Sequence, residues 1–347
     1  VSRNALAIVS SLLFAALAAA LVLIPAPYVA WRPGQTLDVL AATDSGPVID
    51  VTGLQSFEAS GSLLMTTVSA TRVDSSLSLP EAIYVFLDPS SDAMPREVIY
   101  PPGKTTEQVQ SEAVASMDTS RSNATVAALR ADGIKVTELP RVASVTMSGP
   151  SAEKLQPGDL ITAVDTIPVT SRDEVAAQIS THEVGDAIVF DVLREGSELT
   201  VSVTSDASPT DAKLPIVGIS IDTGYQYDPV VTFNVDSSVT GPSAGLVFAL
   251  GIYDRITDGQ LISGRVVAGT GTMDPNGRVG NIGGIREKIK GAERDGATVF
   301  LVPEGNCDDV GDLDTPLTLV SVATLKDAIS ALQLINESNT AEVPVCG

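Results

Sequence analysis

A serine and a lysine carry the strongest chemical signal in this sequence. Gly241-Pro242-Ser243-Ala244-Gly245 runs straight into Leu246-Val247-Phe248-Ala249-Leu250, so a proline-containing turn delivers Ser243 to the start of an apolar helix. Free backbone N–H groups at a helix N-terminus hold an oxyanion, and the helix dipole favours negative charge there by up to ~1–2 kcal/mol. A serine in that place also serves as an ordinary N-cap, so Ser243 alone decides nothing. Gly149-Pro150-Ser151-Ala152 repeats the first four letters, but Glu153 and Lys154 follow instead of an apolar run. The signal lies in the context.

A second segment supplies a base. Asn281-Ile-Gly-Gly-Ile-Arg-Glu-Lys-Ile-Lys-Gly-Ala-Glu-Arg opens on glycines and turns helical. At ~100° per residue, Ile285, Ile289 and Ala292 share one arc, and Lys288 falls inside it. Arg286, Glu287, Lys290, Glu293 and Arg294 point away. Burial on a packing face disfavours the ammonium and lowers its pKa, and a neutral amine takes a proton from a serine hydroxyl. The bland alternative is a lysine that snorkels its stem along the helix edge.

Composition removes other chemistries. The 347 residues include one histidine, His182, and two cysteines, Cys307 and Cys346. That inventory excludes a zinc site of Cys and His within one chain and leaves no serine–histidine or cysteine–histidine machinery to expect; His182 receives no catalytic role. With 21 basic against 43 acidic residues the net charge is −22, which repels phosphate backbones and argues against a nucleic-acid partner. Gly103-Lys104-Thr105 ends like a phosphate loop, but its required upstream glycine is Val98. His182-Glu183 opens a zincin-like string whose fifth position is Asp186, and Gly269-Thr270-Gly271 a dinucleotide-like one whose sixth is Asp274. The expectation is no ATPase module, no metal and no cofactor.

The chain must position these residues with several modules. Ala5–Ile24 is a 20-residue run without charge, ~30 Å as a helix, the thickness of a bilayer's hydrocarbon core. Residues 1–30 therefore read as a transmembrane anchor with the remainder outside the cytoplasm, a cleaved signal being the alternative. Residues 31–132 read as a β-rich region with a connecting helix; Leu63–Val68 and Ala82–Leu87 carry strand-like composition, and Thr105 to about Arg130 is helical, stopped by Asp132-Gly133. Residues 133–207 show short strands around a helix near Arg172–Ser180. Ser208-Pro209-Thr210 reads as a linker, 210–337 as alternating strands and helices, and 338–347 as a tail. The fold class expected is α+β and multidomain. Export permits a Cys307–Cys346 disulfide tying the tail back, two free buried thiols being the alternative.

Two resemblances sharpen this reading. Ser148-Gly-Pro-Ser-Ala-Glu-Lys-Leu-Gln-Pro-Gly-Asp-Leu-Ile-Thr-Ala-Val-Asp, ending at Asp165, resembles a PDZ domain of the HtrA type, with Thr166 where many members have glycine. The resemblance implies an edge strand, Val142, Ala143, Ser144, Val145, Thr146 and Met147, that takes an extended peptide against the helix after Ser171. The alternative is a PDZ-shaped spacer. The blocks Gly241–Gly245, Val267–Val279 and Ile282-Gly-Gly-Ile-Arg-Glu-Lys288 resemble the Lon-type serine–lysine peptidase domain, an α/β fold. That resemblance implies Ser243 as nucleophile, Lys288 as general base, Thr270 orienting the amine, and the backbone around Gly241, Pro242, Ala244 and Gly245 supporting the oxyanion. Thr240 and Thr272 stand where many such domains have acidic residues, and the loop Asp236–Thr240 is short.

The layout as a whole resembles the membrane-anchored PDZ–Lon-like proteases of Gram-positive bacteria. It implies an ATP-independent, membrane-tethered endopeptidase acting on peptide or protein substrates outside the cytoplasm, and Lon-like domains suggest a homo-oligomer. The competing readings are a non-catalytic PDZ adaptor and a protein that processes only itself.

Overall fold

The computed structural model describes residues 3–43, 46–72, 75–88 and 90–347. In chain order, the elements begin with α1 (Arg3–Leu23), β1 (Tyr28–Asp38), β2 (Ile49–Thr52), β3 (Ser62–Ala70), α2 (Leu79–Leu87), β4 (Asp92–Pro95) and α3 (Thr106–Ala131). Next come β5 (Thr137–Val145), β6 (Leu160–Val164), α4 (Arg172–Ser180), β7 (Ala187–Arg194), β8 (Ser197–Thr204) and β9 (Ile219–Gln226). The last are β10 (Val230–Phe233), α5 (Gly245–Ile256), β11 (Val266–Gly269), α6 (Ile285–Arg294), β12 (Val299–Pro303), β13 (Thr318–Val322) and α7 (Leu325–Asn336).

The chain divides into two compact units, Val1–Gly133 with Pro229–Gly347, and Ile134–Asp228. Residues 210–228 go with the second unit, while the N-terminal β-rich region and the 210–337 segment from Pro229 onward, separate in the sequence reading, thus share the first. Its sheet runs β13-β12-β11-β3-β1-β4. The first four strands are parallel, with β1 antiparallel to β3 and β4 antiparallel to β1. β12 is buried at every position, as expected for a parallel strand covered on both faces. β2 pairs with β10 and further ties the N-terminal region to the rest.

Local signals explain the helices that frame the site. α3 starts at a capping box of Thr105 and Gln108 and ends at Asp132, with Gly133 at φ 76° beyond it. Its buried second half, including Ala124, Val126, Ala128 and Leu129, packs against α5, itself almost wholly buried. The strand expected at Ala82–Leu87 is instead helix α2. Ser78 and Glu81 form a capping box and Pro80 stands at the start, where its missing N–H costs nothing; these caps outweigh the β-rich composition.

The second unit is a sheet ordered β8-β7-β6-β5-β9 with α4 beside it. Val142, Ile161, Val164, Val175, Ile188, Phe190 and Val203 form its core. Its last strand, β9, lies beyond the linker expected at 208–210. Asp206–Ala207 and Pro215–Ile216 pair there as a hairpin.

α1 covers the uncharged N-terminal run, and its large apolar side chains, Leu6, Ile8, Phe14 and Leu17 among them, are exposed. Among the described residues no helix is long and apolar enough to cross a membrane, so the spanning anchor expected from the sequence is not supported by the fold.

Candidate active site

The turn before α5 is fixed from behind by α3. Gly241, at φ 94°, donates its N–H to Ala113 O at 3.1 Å. The Ser120 hydroxyl donates to Pro242 O at 2.9 Å. Asn123 Nδ2 donates to Met273 O at 3.0 Å. These contacts present Ser243, half-buried, two residues ahead of the helix.

Lys288 reaches the same point from α6. That helix buries Ile285, Lys288, Ile289 and Ala292 along one face, as the spacing requires. Lys288 is 2% exposed, and its Nζ lies 2.7 Å from Ser243 Oγ. Nζ also donates to Thr270 Oγ1 at 3.1 Å and to the Thr66 carbonyl at 3.3 Å. The Thr270 hydroxyl donates to Ser243 O at 3.0 Å, leaving its lone pairs for the amine. A neutral amine has two N–H groups and one lone pair. Thr270 and Thr66 take the two donors, and the lone pair faces the serine hydroxyl. Burial pushes the Lys288 pKa down to about 8.

The supporting backbone is narrower than the sequence implies. Pro242 has no N–H, and the N–H of Gly241 is spent on Ala113. The Gly245 N–H donates back to Pro242 O. The amides of Ser243 and Ala244 remain, ahead of the first turn of α5, where no intrahelical carbonyl lies behind them. They meet the nucleophile at a cleft of about 1250 Å³ lined by Pro33, Gly34, Met65, Met117, Val239 and Thr240 as well as Ser243 and Lys288.

Two participants escaped the sequence reading. The Thr66 carbonyl comes from β3, far from every motif, and no sequence signal marks a main-chain acceptor. Glu287, expected to point away from the core, is 2% exposed. Burial raises its pKa, and a hydrogen bond to the Asp92 carboxylate on β4 raises it further. The wall there includes Trp31, whose ring lies where Cβ atoms on Gly283 and Gly284 would stand. Packing of α6 against β1 takes the Glu287 face out of water.

The peptide edge expected at Val142, Ala143, Ser144, Val145, Thr146 and Met147 is not open. β9 covers it, pairing Ile219 with Val145, Ser220 with Ser144 and Ile221 with Val142. Thr146 N donates to Gly218 O at 2.9 Å, and Met147 projects into solvent. The open edge has moved one strand outward, to β9. There a cavity of about 560 Å³ separates β9 from α4, lined by Ala176, Ile179, Leu214, Val217, Ile219 and Ile221. The signal that marks it is Val217-Gly218-Ile219, an apolar pair around a glycine at φ 73°, opening the alternating run Ile219-Ser220-Ile221-Asp222. His182 lies in this second unit, with Nε2 2.9 Å from Asp165 Oδ2. Cys307 and Cys346 are joined as a disulfide, Cα–Cα 5.1 Å, and the tail pairs along β13 through Ser321 N to Pro344 O at 2.9 Å. Among the described residues no cluster of three or more metal-ligating side chains occurs.

Comparison with known proteins matches this arrangement at both units. Residues 121–204 match the PDZ domain family, and residues 235–333 match the Lon protease (S16) C-terminal proteolytic domain, a match that includes Ser243, Thr270 and Lys288. The chain thus joins a region similar to PDZ domains to one similar to the proteolytic domain of Lon proteases. Lon protease 1 of Bacillus subtilis (strain 168) is 33% identical over 126 residues, 35% of this chain and 15% of that protein. Lon protease of Clostridium beijerinckii is 29% identical over 143 residues, 40% of this chain and 17% of that protein. The chain therefore matches less than a fifth of the length of either relative. Among solved structures, the PDZ domain of the SdrC-like protein from Listeria monocytogenes is 26% identical, covering 24% of this chain and 85% of that one at a TM-score of 0.22. The PDZ match stops at residue 204, so β9 lies outside it, while the α4 wall of the groove, with Ala176 and Ile179, lies inside.

Proposed function

We propose that this chain is a membrane-tethered endopeptidase that cleaves peptide bonds without ATP, using Ser243 as nucleophile and Lys288 as general base. The observation that carries the reading is a buried lysine nitrogen 2.7 Å from a serine hydroxyl at the floor of an open cleft. The serine hydroxyl donates its proton to the amine as Oγ attacks the scissile carbonyl. The amides of Ser243 and Ala244 receive the oxyanion, helped by the α5 dipole. Lys288 then protonates the leaving amine and activates the water that releases the acyl group. Thr270 and Thr66 hold the amine throughout.

Substrate recruitment follows from the β9 edge. An extended segment added beside Ile219–Ile221 gains main-chain hydrogen bonds and sets side chains into the apolar groove against α4. The tether is α1, whose exposed apolar surface and uncharged residues 5–24 favour lipid over water. The Cys307–Cys346 disulfide supports an oxidising compartment outside the cytoplasm. ATP independence rests on the lack of a phosphate-loop sequence, so substrates are short or loosely folded.

The test is turnover of a loosely folded protein without nucleotide by the full chain and by Ser243→Ala and Lys288→Met variants. Cleavage by wild type and by neither variant is expected. Equal behaviour of all three leaves the adaptor reading, and loss of self-cleavage with no effect on added substrate selects self-processing.

A further inference from the structure

Apart from Glu81, α2 exposes only apolar and aromatic side chains. Ala82 and Val85 are buried, packed with Ala26, Ala30 and Leu77. On the opposite side Ile83, Tyr84, Phe86 and Leu87 are 52%, 68%, 78% and 71% exposed. At ~100° per residue, these four together with Leu79 and Pro80 fill an arc of about 160°. Glu81, spent on the capping box with Ser78, is the only charge in the helix. An apolar arc this wide, opposite the buried face, does not rest against water.

The fold joins this face to α1. Pro25-Ala26, which follow α1, pair antiparallel with Leu77-Ser78, which precede α2: Pro25 with Ser78 and Ala26 with Leu77. α1 also packs against α2 itself. The two apolar surfaces are therefore continuous. Two candidates for their cover are lipid and a second copy of the chain. A net charge of −22 sets copies against each other and also disfavours anionic headgroups.

We propose that the outward face of α2 beds into the headgroup–acyl boundary of a zwitterionic bilayer, docking the peptidase unit flat on the membrane that α1 enters. Interfacial helices of this kind insert ~5–10 Å, a depth that suits Ile83, Phe86 and Leu87 in acyl chains and the Tyr84 phenol among headgroups. Docking leaves the peptidase unit lying on the membrane rather than swinging free on a tether. The inference rests on the tether reading and deepens it.

The experiment places a reporter on the face. Full-chain Phe86→Trp and wild type are incorporated into phosphatidylcholine vesicles with brominated acyl chains, and Trp31, the only native tryptophan, is subtracted through the wild type. Quenching of the added tryptophan by bromines near the headgroup end, more than by bromines near the methyl end, is expected, with protection from aqueous iodide. Phosphatidylglycerol in the vesicles should weaken the quenching. A Phe86→Trp chain that incorporates while the added indole stays open to iodide and unquenched overturns the α2 inference and leaves the tether standing. Failure of wild type to associate with vesicles overturns the tether itself. Iodide protection that appears without lipid and grows with protein concentration assigns the face to a second copy and refutes the lipid proposal.

Discussion

Replacing Lys288 with methionine tests whether the amine is kept dry at a cost to the fold. Burial lowers the lysine pKa from 10.5 to about 8. At ~1.36 kcal/mol per pKa unit, the shift corresponds to about 3 kcal/mol of stability withheld while the folded amine is protonated. The folded state releases its proton near pH 8, whereas the unfolded chain keeps it to about 10.5. Between those values the unfolded state binds more protons, so wild-type stability rises with pH; below 8 both states are protonated and this contribution is flat. Methionine removes the ionisation but also strips donors from the Thr66 carbonyl and Thr270, a loss of ~1–3 kcal/mol that partly cancels the gain at neutral pH. The decisive quantity is therefore the pH dependence of the difference. Relative to Lys288→Met, wild type should gain ~1.4 kcal/mol per pH unit from 8 to 10.5 and nothing below 8. Urea unfolding followed by Trp31 fluorescence reads the peptidase unit alone, because Trp31 sits on β1 against Gly283 and Gly284. Parallel stability profiles for the two proteins would refute the buried-amine argument.

Further perturbations probe the surrounding structure. Ser120→Ala leaves the Pro242 carbonyl without its hydroxyl donor and should cost ~1–3 kcal/mol while lowering kcat more than it changes KM. Glu287 has a raised pKa, so wild type should lose stability as pH climbs from the ordinary carboxylate range toward neutrality, and Glu287→Gln should flatten that slope in pH-dependent urea titrations. Gly284→Ala forces a Cβ to within 2.6 Å of Val68 Cγ1 at a φ of +71°; a loss above ~1 kcal/mol and a shifted Trp31 emission are expected. Cys307→Ser opens a loop of 39 residues in sequence separation and should cost ~3–4 kcal/mol in non-reducing unfolding experiments.

The site residues close in sequence to a motif were legible, and the rest were not. Gly241–Gly245 and the arc of Ile285, Lys288, Ile289 and Ala292 specify a turn into a helix and a lysine on a packing face, and both appear as local geometry. The Thr66 carbonyl was invisible because it is a backbone group supplied by a strand more than two hundred residues from Lys288. The N-terminal region looked like its own domain because strands β1 and β3 join their sheet through pairings that leave no local trace. Ala82–Leu87 misled through composition, although the Ser78–Glu81 capping box was present in the letters. The peptide edge was misplaced for a topological reason: β5 has the composition of an edge, but β9, beyond an apparent linker, returns to cover it. Glu287 shows the limit of helical periodicity, since β1 and β4 bury a face that the spacing assigns to solvent.

Acylation of Ser243 as a function of pH addresses the central claim most directly. At pH 7 an amine with a pKa near 8 is neutral in roughly a tenth of molecules, about 300-fold more than at the ordinary lysine value. Intact-mass measurement of the full chain with an acylating peptide ester should show one adduct on Ser243, forming at a rate that rises tenfold per pH unit and levels off near pH 8, and none in Lys288→Met. An adduct forming equally fast without Lys288, or a rate unchanged across pH 6 to 9, would contradict the account.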